Sequence, residues 1–416
     1  PIDNPSTFLV MAHDDAGGRM SLDGDRLREE CGVFGIFGHP HAAALTALGL
    51  HALQHRGQEA CGIVSFDGSR FYAERQLGLV GETFDKPSVL ARLPGMAALG
   101  HVRYSTTGET TLRNVQPLFA DLAEGGFAVA HNGNLTNGLT LRRDLVRSGA
   151  ICQSTTDTEV ILHLLARSEK PRTIQRFIDA ISDVEGAFAL GALTNDRLFG
   201  ARDPLGIRPL ILGEIDGAHV IASETCALDI IGARLVRSID NGEVVEITAD
   251  GIKSHRYAPP QPERPCIFEY IYFARPDSIV RGRTVYEVRK AIGRELAAES
   301  PADVDVVVPI PDSGVPAALG FAQAAGLPFE YGIICCALRM FTAEFSRYYE
   351  TLFAAHPYTR PKNLYAMASV DLARAAVLAR DSQGLQVVGF DLAGEESGYP
   401  AEAHKEAFEY AHKHFL

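Results

Sequence analysis

Apolar and polar positions alternate in short runs over the first part of the chain and stretch into helical stripes over the last. "CGVFGIFG", from Cys31, and "CGIVSFDG", from Cys61, are apolar runs of strand length. Between them "AAALTALGLHALQHRG" has helical spacing. "AALGHVRYST" predicts a strand that leads into polar residues, and "GFAVAHNGNL" a strand that stops at an asparagine-glycine turn. "TLRRDLVRSG" and "DTEVILHLLARS" predict helices, the second capped by Thr156 or Asp157. "GAFALGALTNDRLFGARDP", "RPLILGEIDGAHVIASE" and "GEVVEITADGIKSHRY" read as hairpins. Many short strands with paired helices imply layered sheets with helices outside.

"APPQPERP", residues 258–265, is a boundary, and the texture changes after it. "TVYEVRKAIGRELAAES" carries Val285, Val288, Ile292 and Leu296 as one helical stripe. "VDVVVPI" predicts a buried parallel-type strand, "SGVPAALGFAQAAG" a helix and "FEYGII" the next strand, which together make an α/β unit. Beyond Ile334 an aromatic stretch precedes helix, strand and helix.

The 416 residues suffice for two or three domains. A net charge of -13 argues against a nucleic-acid partner. The cysteines number seven, none in a CxxC pair, which suits neither a disulfide scaffold nor a compact zinc site and favours a reducing, cytoplasmic home. The opening residues do not form a signal peptide, and no run reaches membrane-spanning length, so no membrane partner is expected.

Cys31 raises the question of chemistry. A cysteine in an apolar strand is ordinarily packing. Its thiol becomes a nucleophile only if a base takes its proton, either a histidine or the α-amine of the same residue if the chain is cut before it. Three polar stretches supply what such a site needs. "HVRYSTTG" holds His101, Arg103, Ser105 and Thr106, "HNGNL" holds His131, Asn132, Gly133 and Asn134, and "STTDTE" holds Asp157. Arg103 suits a substrate carboxylate and Asp157 an α-ammonium. The Asn132 amide and the Gly133 N–H suit an oxyanion. Each of these residues serves equally well as an ordinary turn or cap.

These blocks, with "LQHRGQEACGI", "GARDPLGIRPL", "ASETCAL", "FEYIYFARPDS" and "VVPIPDSGVPAALGFA", resemble the glutamine phosphoribosylpyrophosphate amidotransferase family from about residue 26 to 334. The resemblance implies an α+β four-layer (αββα) N-terminal-nucleophile glutaminase domain, followed by an α/β phosphoribosyltransferase-like domain that is incomplete or atypical. It implies a leader over 1–30, a class II glutamine amidotransferase domain over 31–257, a partial phosphoribosyltransferase-like domain over 266–334 and an atypical α/β segment over 335–416. Cys31 would be the nucleophile, its freed amine the base, and Asn132 and Gly133 the oxyanion hole. Arg103 and Asp157 would bind glutamine, with Arg56 in the same environment. Ammonia released from glutamine would displace pyrophosphate from phosphoribosyl pyrophosphate, giving 5-phosphoribosylamine in purine biosynthesis, with Mg2+ on the substrate phosphates. A homo-oligomer is expected, and no iron–sulfur cluster, since Cys266 lacks companions. A glutaminase without a complete second site and a non-catalytic protein on the same scaffold are the alternatives. The family's strand with paired aspartates, loop and threonine-rich helix start has no counterpart after Ile334. There, over about 337–416, "LQVVGFDLAGEESGYPAEAHKEAFEYA" is similar to an internal segment of the adenosine deaminase family, a TIM barrel, though without that family's histidine metal motif.

Overall fold

The computed structural model describes residues 31–104, 111–310, 312–394, 398–414 and 416. The expected leader over 1–30 lies outside them, as do Ser105 and Thr106. The chain divides into two units, one ending at Cys266 and one starting at Ile267.

The strands of the first unit are β1 (Cys31–Phe37), β2 (Ala60–Phe66), β3 (Phe71–Leu77), β4 (Ala97–Arg103), β5 (Leu118–Leu122), β6 (Gly125–Leu135) and β7 (Gly186–Thr194). They continue with β8 (Leu198–Arg202), β9 (Ile211–Ile215), β10 (Ala218–Ala222), β11 (Arg234–Ser238), β12 (Glu243–Thr248) and β13 (Gly251–Arg256). One sheet has the order β11-β9-β10-β1-β4-β2-β3 and the other β13-β12-β8-β7-β6-β5. The three predicted hairpins are β7–β8, β9–β10 and β12–β13, all antiparallel.

Successive side chains of a strand face opposite ways, and β1 shows what that does here. Val33 joins Leu99, Ala130, Ala189 and Leu198 in a core between the two sheets. Phe34 and Ile36 point the other way, into a core shared with Leu50 of the helix Ala42–Ala52. The second sheet is covered likewise: Phe188 and Phe199 pack with Leu165 and Phe177 of the helices Glu159–Arg167 and Thr173–Ser182. Both faces of β1 are therefore dry, which is why it is continuously apolar. Truncating a ring such as Phe34 here costs about 3–5 kcal/mol. The layer order is helix, sheet, sheet, helix.

One strand runs further than expected. The asparagine-glycine pair does not end β6, which continues through Asn132 and Gly133 to Leu135, paired with β7 from Phe127↔Thr194 to Leu135↔Gly186. Gly133 has φ +142, and a Cβ there would lie 2.0 Å from the Ala187 carbonyl oxygen. Here glycine serves an irregular strand rather than a turn.

The second unit is α/β. It holds a short hairpin of β14 (Ile279–Val280) and β15 (Arg283–Thr284), and a parallel pair of β16 (Ile333–Leu338) and β17 (Val387–Ala393). The predicted helix forms as Val285–Glu299, but its stripe is rotated: Val285, Arg289 and Gly293 are buried, whereas Ile292 and Leu296 are exposed. The cause is a close helix contact. A Cβ on Gly293 would lie 1.8 Å from the Ala317 oxygen, and one on Gly320, in the helix Val315–Ala325, would lie 2.0 Å from the Lys290 oxygen. Small residues, not large apolar ones, make this seam.

Two further expectations fail in this unit. "VDVVVPI" yields only a parallel bridge, Val307↔Phe329, with Val304, Val306 and Ile310 exposed. A parallel strand is stable when neighbours cover it on both sides, and among the described residues this one has a single-residue partner. The deaminase-like reading of 337–416 is also overturned. A barrel of that kind closes eight tilted strands on themselves. The described residues of this segment contribute β17, which pairs with β16 and packs with the helix Pro361–Gln383, and no closed barrel forms. His404 sits in this packing, with its Nδ1 2.7 Å from Ser369 Oγ.

Candidate functional site

Strand register brings the first two site residues together. Cys31, the first residue of β1, pairs directly with Arg103, the last of β4, and Ala60 of β2 pairs with Arg103 from the other side. Cys31 is 1 % exposed. The chain after β10 braces this end of β1: the Val33 N–H donates to Ser223 Oγ at 2.9 Å, and the Ser223 N–H donates to the Val33 carbonyl at 3.0 Å.

Arg56 lies under the cysteine, wholly buried. Its Nε donates to the Cys31 carbonyl at 2.9 Å and its Nη1 to Glu224 Oε1 at 2.6 Å. His55 Nε2 lies 2.8 Å from the same carboxylate oxygen. A buried guanidinium is tolerable only with such a partner. Arg56 thus fixes the backbone of Cys31, and Glu224 neutralises Arg56.

The two sheets meet at this end through His101 and His131. His101 Nε2 lies 3.0 Å from the His131 carbonyl oxygen, so the imidazole carries its proton on Nε2 and donates to it. His101 is fully buried, and burial holds its pKa down at about 3. His101 is two residues from Arg103 on β4, and His131 precedes Asn132 on β6. That link sets the predicted oxyanion pair, Asn132 and Gly133, at the same end of the sandwich as Cys31 and Arg103. Asn132 is fully buried, and among the described residues neither its Oδ1 nor its Nδ2 has a hydrogen-bond partner. An unsatisfied buried amide costs about 1–3 kcal/mol, a cost common where a ligand is to be received.

Asp157 is tied to the same strand. Its Oδ2 accepts from the Leu135 N–H at 2.8 Å, and its Oδ1 lies 3.7 Å from His131 Nδ1 and accepts from Thr156 and Thr158 hydroxyls at 3.3 Å. Burial pushes this carboxyl up, but the charge and hydrogen bond of His131 together with the Leu135 and Thr156 donors hold it below the ordinary range. It is an anion at neutral pH.

The sequence reading missed Glu224, Asn114 and Gln116. Asn114 accepts from Arg103 Nη1 at 3.1 Å through its carbonyl, and its side chain exchanges hydrogen bonds with Thr155 at 2.8 and 2.9 Å. Gln116 accepts from the His131 N–H at 2.8 Å and donates to Thr158 Oγ1 at 3.2 Å. These side chains join Arg103, β6 and the loop of Asp157 into one unit. Glu224 stands in "ASETCAL", one of the blocks that carry the resemblance, but nothing local assigns a role to any of the three, because their partners lie elsewhere in the sequence.

The described residues contain one group that could hold a metal ion, Cys152, Glu159 and His163, whose ligand atoms lie within 4.8 Å of one another. Sulfur and imidazole donors do not fit the hard, oxygen-seeking Mg2+. Among the described residues no helix is long and apolar enough to cross a membrane.

A family profile described as "Glutamine amidotransferase domain" matches residues 101–229. The chain is 66% identical over 318 residues to an amidophosphoribosyltransferase of Rhizobium etli, a match covering 75% of this chain and 64% of the relative. It is 51% identical over 310 residues to a chloroplastic amidophosphoribosyltransferase of Glycine max, covering 74% of this chain and 54% of the relative. Among solved structures, glutamine phosphoribosylpyrophosphate amidotransferase from B. subtilis, complexed with ADP and GMP, is similar with a TM-score of 0.70 and 44% identity, over 73% of this chain and 66% of that one. A structure of the allosteric regulatory enzyme of purine biosynthesis gives a TM-score of 0.71 at 44% identity, over 73% of this chain and 65% of that one. The chain thus spans less than two thirds of the length of each of these relatives. In fold, it is an N-terminal-nucleophile-type glutaminase domain followed by a phosphoribosyltransferase-like α/β domain.

Proposed function

We propose that the chain is a glutamine-dependent amidophosphoribosyltransferase, with a class II glutaminase domain over 31–257 and Cys31 as its nucleophile. The observation that carries the reading is the convergence of Cys31 and Arg103 in strand register with a buried Asn132 amide that lacks partners among the described residues.

Arg103 takes the glutamine α-carboxylate and Asp157 its α-ammonium, so the side-chain amide is presented to the sulfur. The α-amine of Cys31, freed by removal of the residues before it, accepts the thiol proton; its ordinary pKa near 7.7–8 suits neutral pH. The thiolate adds to the amide carbon, and the Asn132 Nδ2–H and Gly133 N–H stabilise the oxyanion. The carbon–nitrogen bond breaks as the nitrogen takes the proton, releasing ammonia and leaving a thioester. Water then hydrolyses the thioester to glutamate and restores the thiol. Arg56 contributes by holding the Cys31 carbonyl while the sulfur changes partners.

In the full reaction ammonia attacks C1 of phosphoribosyl pyrophosphate and expels pyrophosphate. Magnesium, when bound, neutralises the charge of the substrate's phosphates. The enzyme acts as a homo-oligomer in a reducing compartment, as cysteines without disulfides suit.

The reduced strand at Val304–Ile310 favours a second reading, a glutaminase whose transferase half is incomplete. One experiment separates them. Intact mass and N-terminal sequencing establish whether Cys31 is a terminus, and glutamate and phosphoribosylamine are then measured with and without phosphoribosyl pyrophosphate. Both products are expected. Glutamate alone supports the second reading. Glutamine hydrolysis by Cys31→Ala at the unmutated rate overturns both.

A further inference from the structure

Cys152, Glu159 and His163 play no part in the chemistry above, yet three kinds of metal ligand meet there. Glu159 opens the helix Glu159–Arg167 and His163 stands one turn later, so both side chains occupy one face. His163 Nε2 lies 3.9 Å from Glu159 Oε1, and with Cys152 on the preceding loop one ligand atom from each of the three residues lies within 4.8 Å of the others.

The two oxygens of Glu159 have different duties. Oε2 accepts from the Ser154 N–H at 3.0 Å, the Ser154 hydroxyl at 2.9 Å and Arg142 Nη1 at 3.4 Å. Oε1 accepts from the Gln153 N–H at 2.6 Å and faces His163. The carboxylate is thus held by its loop with Oε1 turned toward the other two ligands. In a tetrahedral site with bonds of about 2.0–2.3 Å, ligand atoms stand roughly 3.3–3.6 Å apart. A contraction of an ångström or so, within the reach of side-chain rotation, closes the set. A cavity of about 540 Å³ reaches Glu159 and His163, with Arg75, Arg113 and Asp121 also in its wall; Cys152 does not line it and approaches the two ligands from the loop behind.

We propose that Cys152 Sγ, His163 Nε2 and Glu159 Oε1 form a binding site for a thiophilic divalent cation of the zinc class. Binding displaces the thiol proton to solvent and forms the metal–sulfur bond with no change of oxidation state. The donor set selects zinc or cobalt(II) over Mg2+. The proposal does not depend on the glutamine chemistry, and its readout is spectroscopic, so either can fail alone.

Cobalt(II) is titrated into the full chain and the absorption spectrum followed. The expected result is one equivalent bound with intense tetrahedral d–d bands and a sulfur-to-cobalt charge-transfer band. Cys152→Ser should abolish the charge-transfer band, and His163→Gln, which removes a direct ligand, should weaken binding by at least the roughly 10- to 100-fold that loss of a ligand's supporting partner costs. Excess Mg2+ should leave the spectrum unchanged, and zinc should erase it by displacement. A wild-type titration without the sulfur-to-cobalt band overturns the site, as does a full band in Cys152→Ser. Displacement by Mg2+ overturns the assigned class of ion. If Cys152→Ser does not fold, the partly exposed His163→Gln decides, and unchanged cobalt affinity in it overturns the site.

Discussion

His101 makes stability at this end of the sandwich depend on pH in a calculable way. It is buried and neutral, donates from Nε2 to the His131 carbonyl, and its Nδ1 has no partner among the described residues. A second proton would create a charge with no partner. The native pKa of about 3 lies below the ordinary 6.5, so the unfolded chain binds the proton first as pH falls. Stability through this group is therefore full above about pH 6.5 and is lost between 6.5 and about 3. Each pH unit in that window costs about 1.4 kcal/mol, so about 2 kcal/mol is lost between pH 6.5 and 5. His101→Gln keeps an N–H for the His131 carbonyl and removes the titration. Urea unfolding of the first unit, followed at pH 7 and pH 5, compares the two proteins. The variant is expected to be less stable at pH 7 through imperfect packing, but to lose about 2 kcal/mol less on acidification. Taking the difference between the two proteins cancels groups that titrate in both. Parallel pH dependences would refute the argument.

The other predictions concern charges around the proposed nucleophile. Asp157→Asn keeps an acceptor for the Leu135 N–H but removes the anion, so the transition-state barrier for glutamine should rise by about 2–3 kcal/mol, roughly a 30- to 150-fold fall in kcat/KM, with a lowered melting temperature as well because His131 and the threonine hydroxyls also lean on the carboxylate. Unchanged glutamine kinetics would rule out a substrate contact. Glu224→Gln leaves Arg56 buried without its counter-charge, and should destabilise the first unit by about 3–5 kcal/mol in urea titration. A loss under about 1 kcal/mol would mean that Arg56 does not depend on the Glu224 charge.

The glutaminase unit was readable because its signals are local. Short apolar runs marked β1, β2, β4 and the three hairpins, and the polar motifs offered Arg103, Asn132, Gly133 and Asp157 as candidates beside Cys31. What failed to show was pairing across distance. Glu224 lies 168 residues from Arg56, and nothing beside it announces a buried cation. The helix Val285–Glu299 misled for a related reason: its contact is made by Gly293 against the Ala317 backbone and by Gly320 against the Lys290 backbone, and a reading that counts large apolar residues assigns the wrong face. Val304–Ile310 misled in the opposite sense, because apolar composition alone does not supply the neighbouring strands that a parallel strand needs.

β1 has hydrogen-bonded neighbours on both edges, β4 along its whole length and β10 along its second half. It therefore works as a ruler whose zero mark is the sulfur. Removing one residue within the strand would trade the inward and outward sets of side chains and carry the thiol past its guanidinium neighbour. Changes of length in the loop after Phe37 leave the mark where it is. A library of insertions and deletions, scored by glutamate release, would therefore fall silent over seven consecutive positions and recover abruptly beyond them.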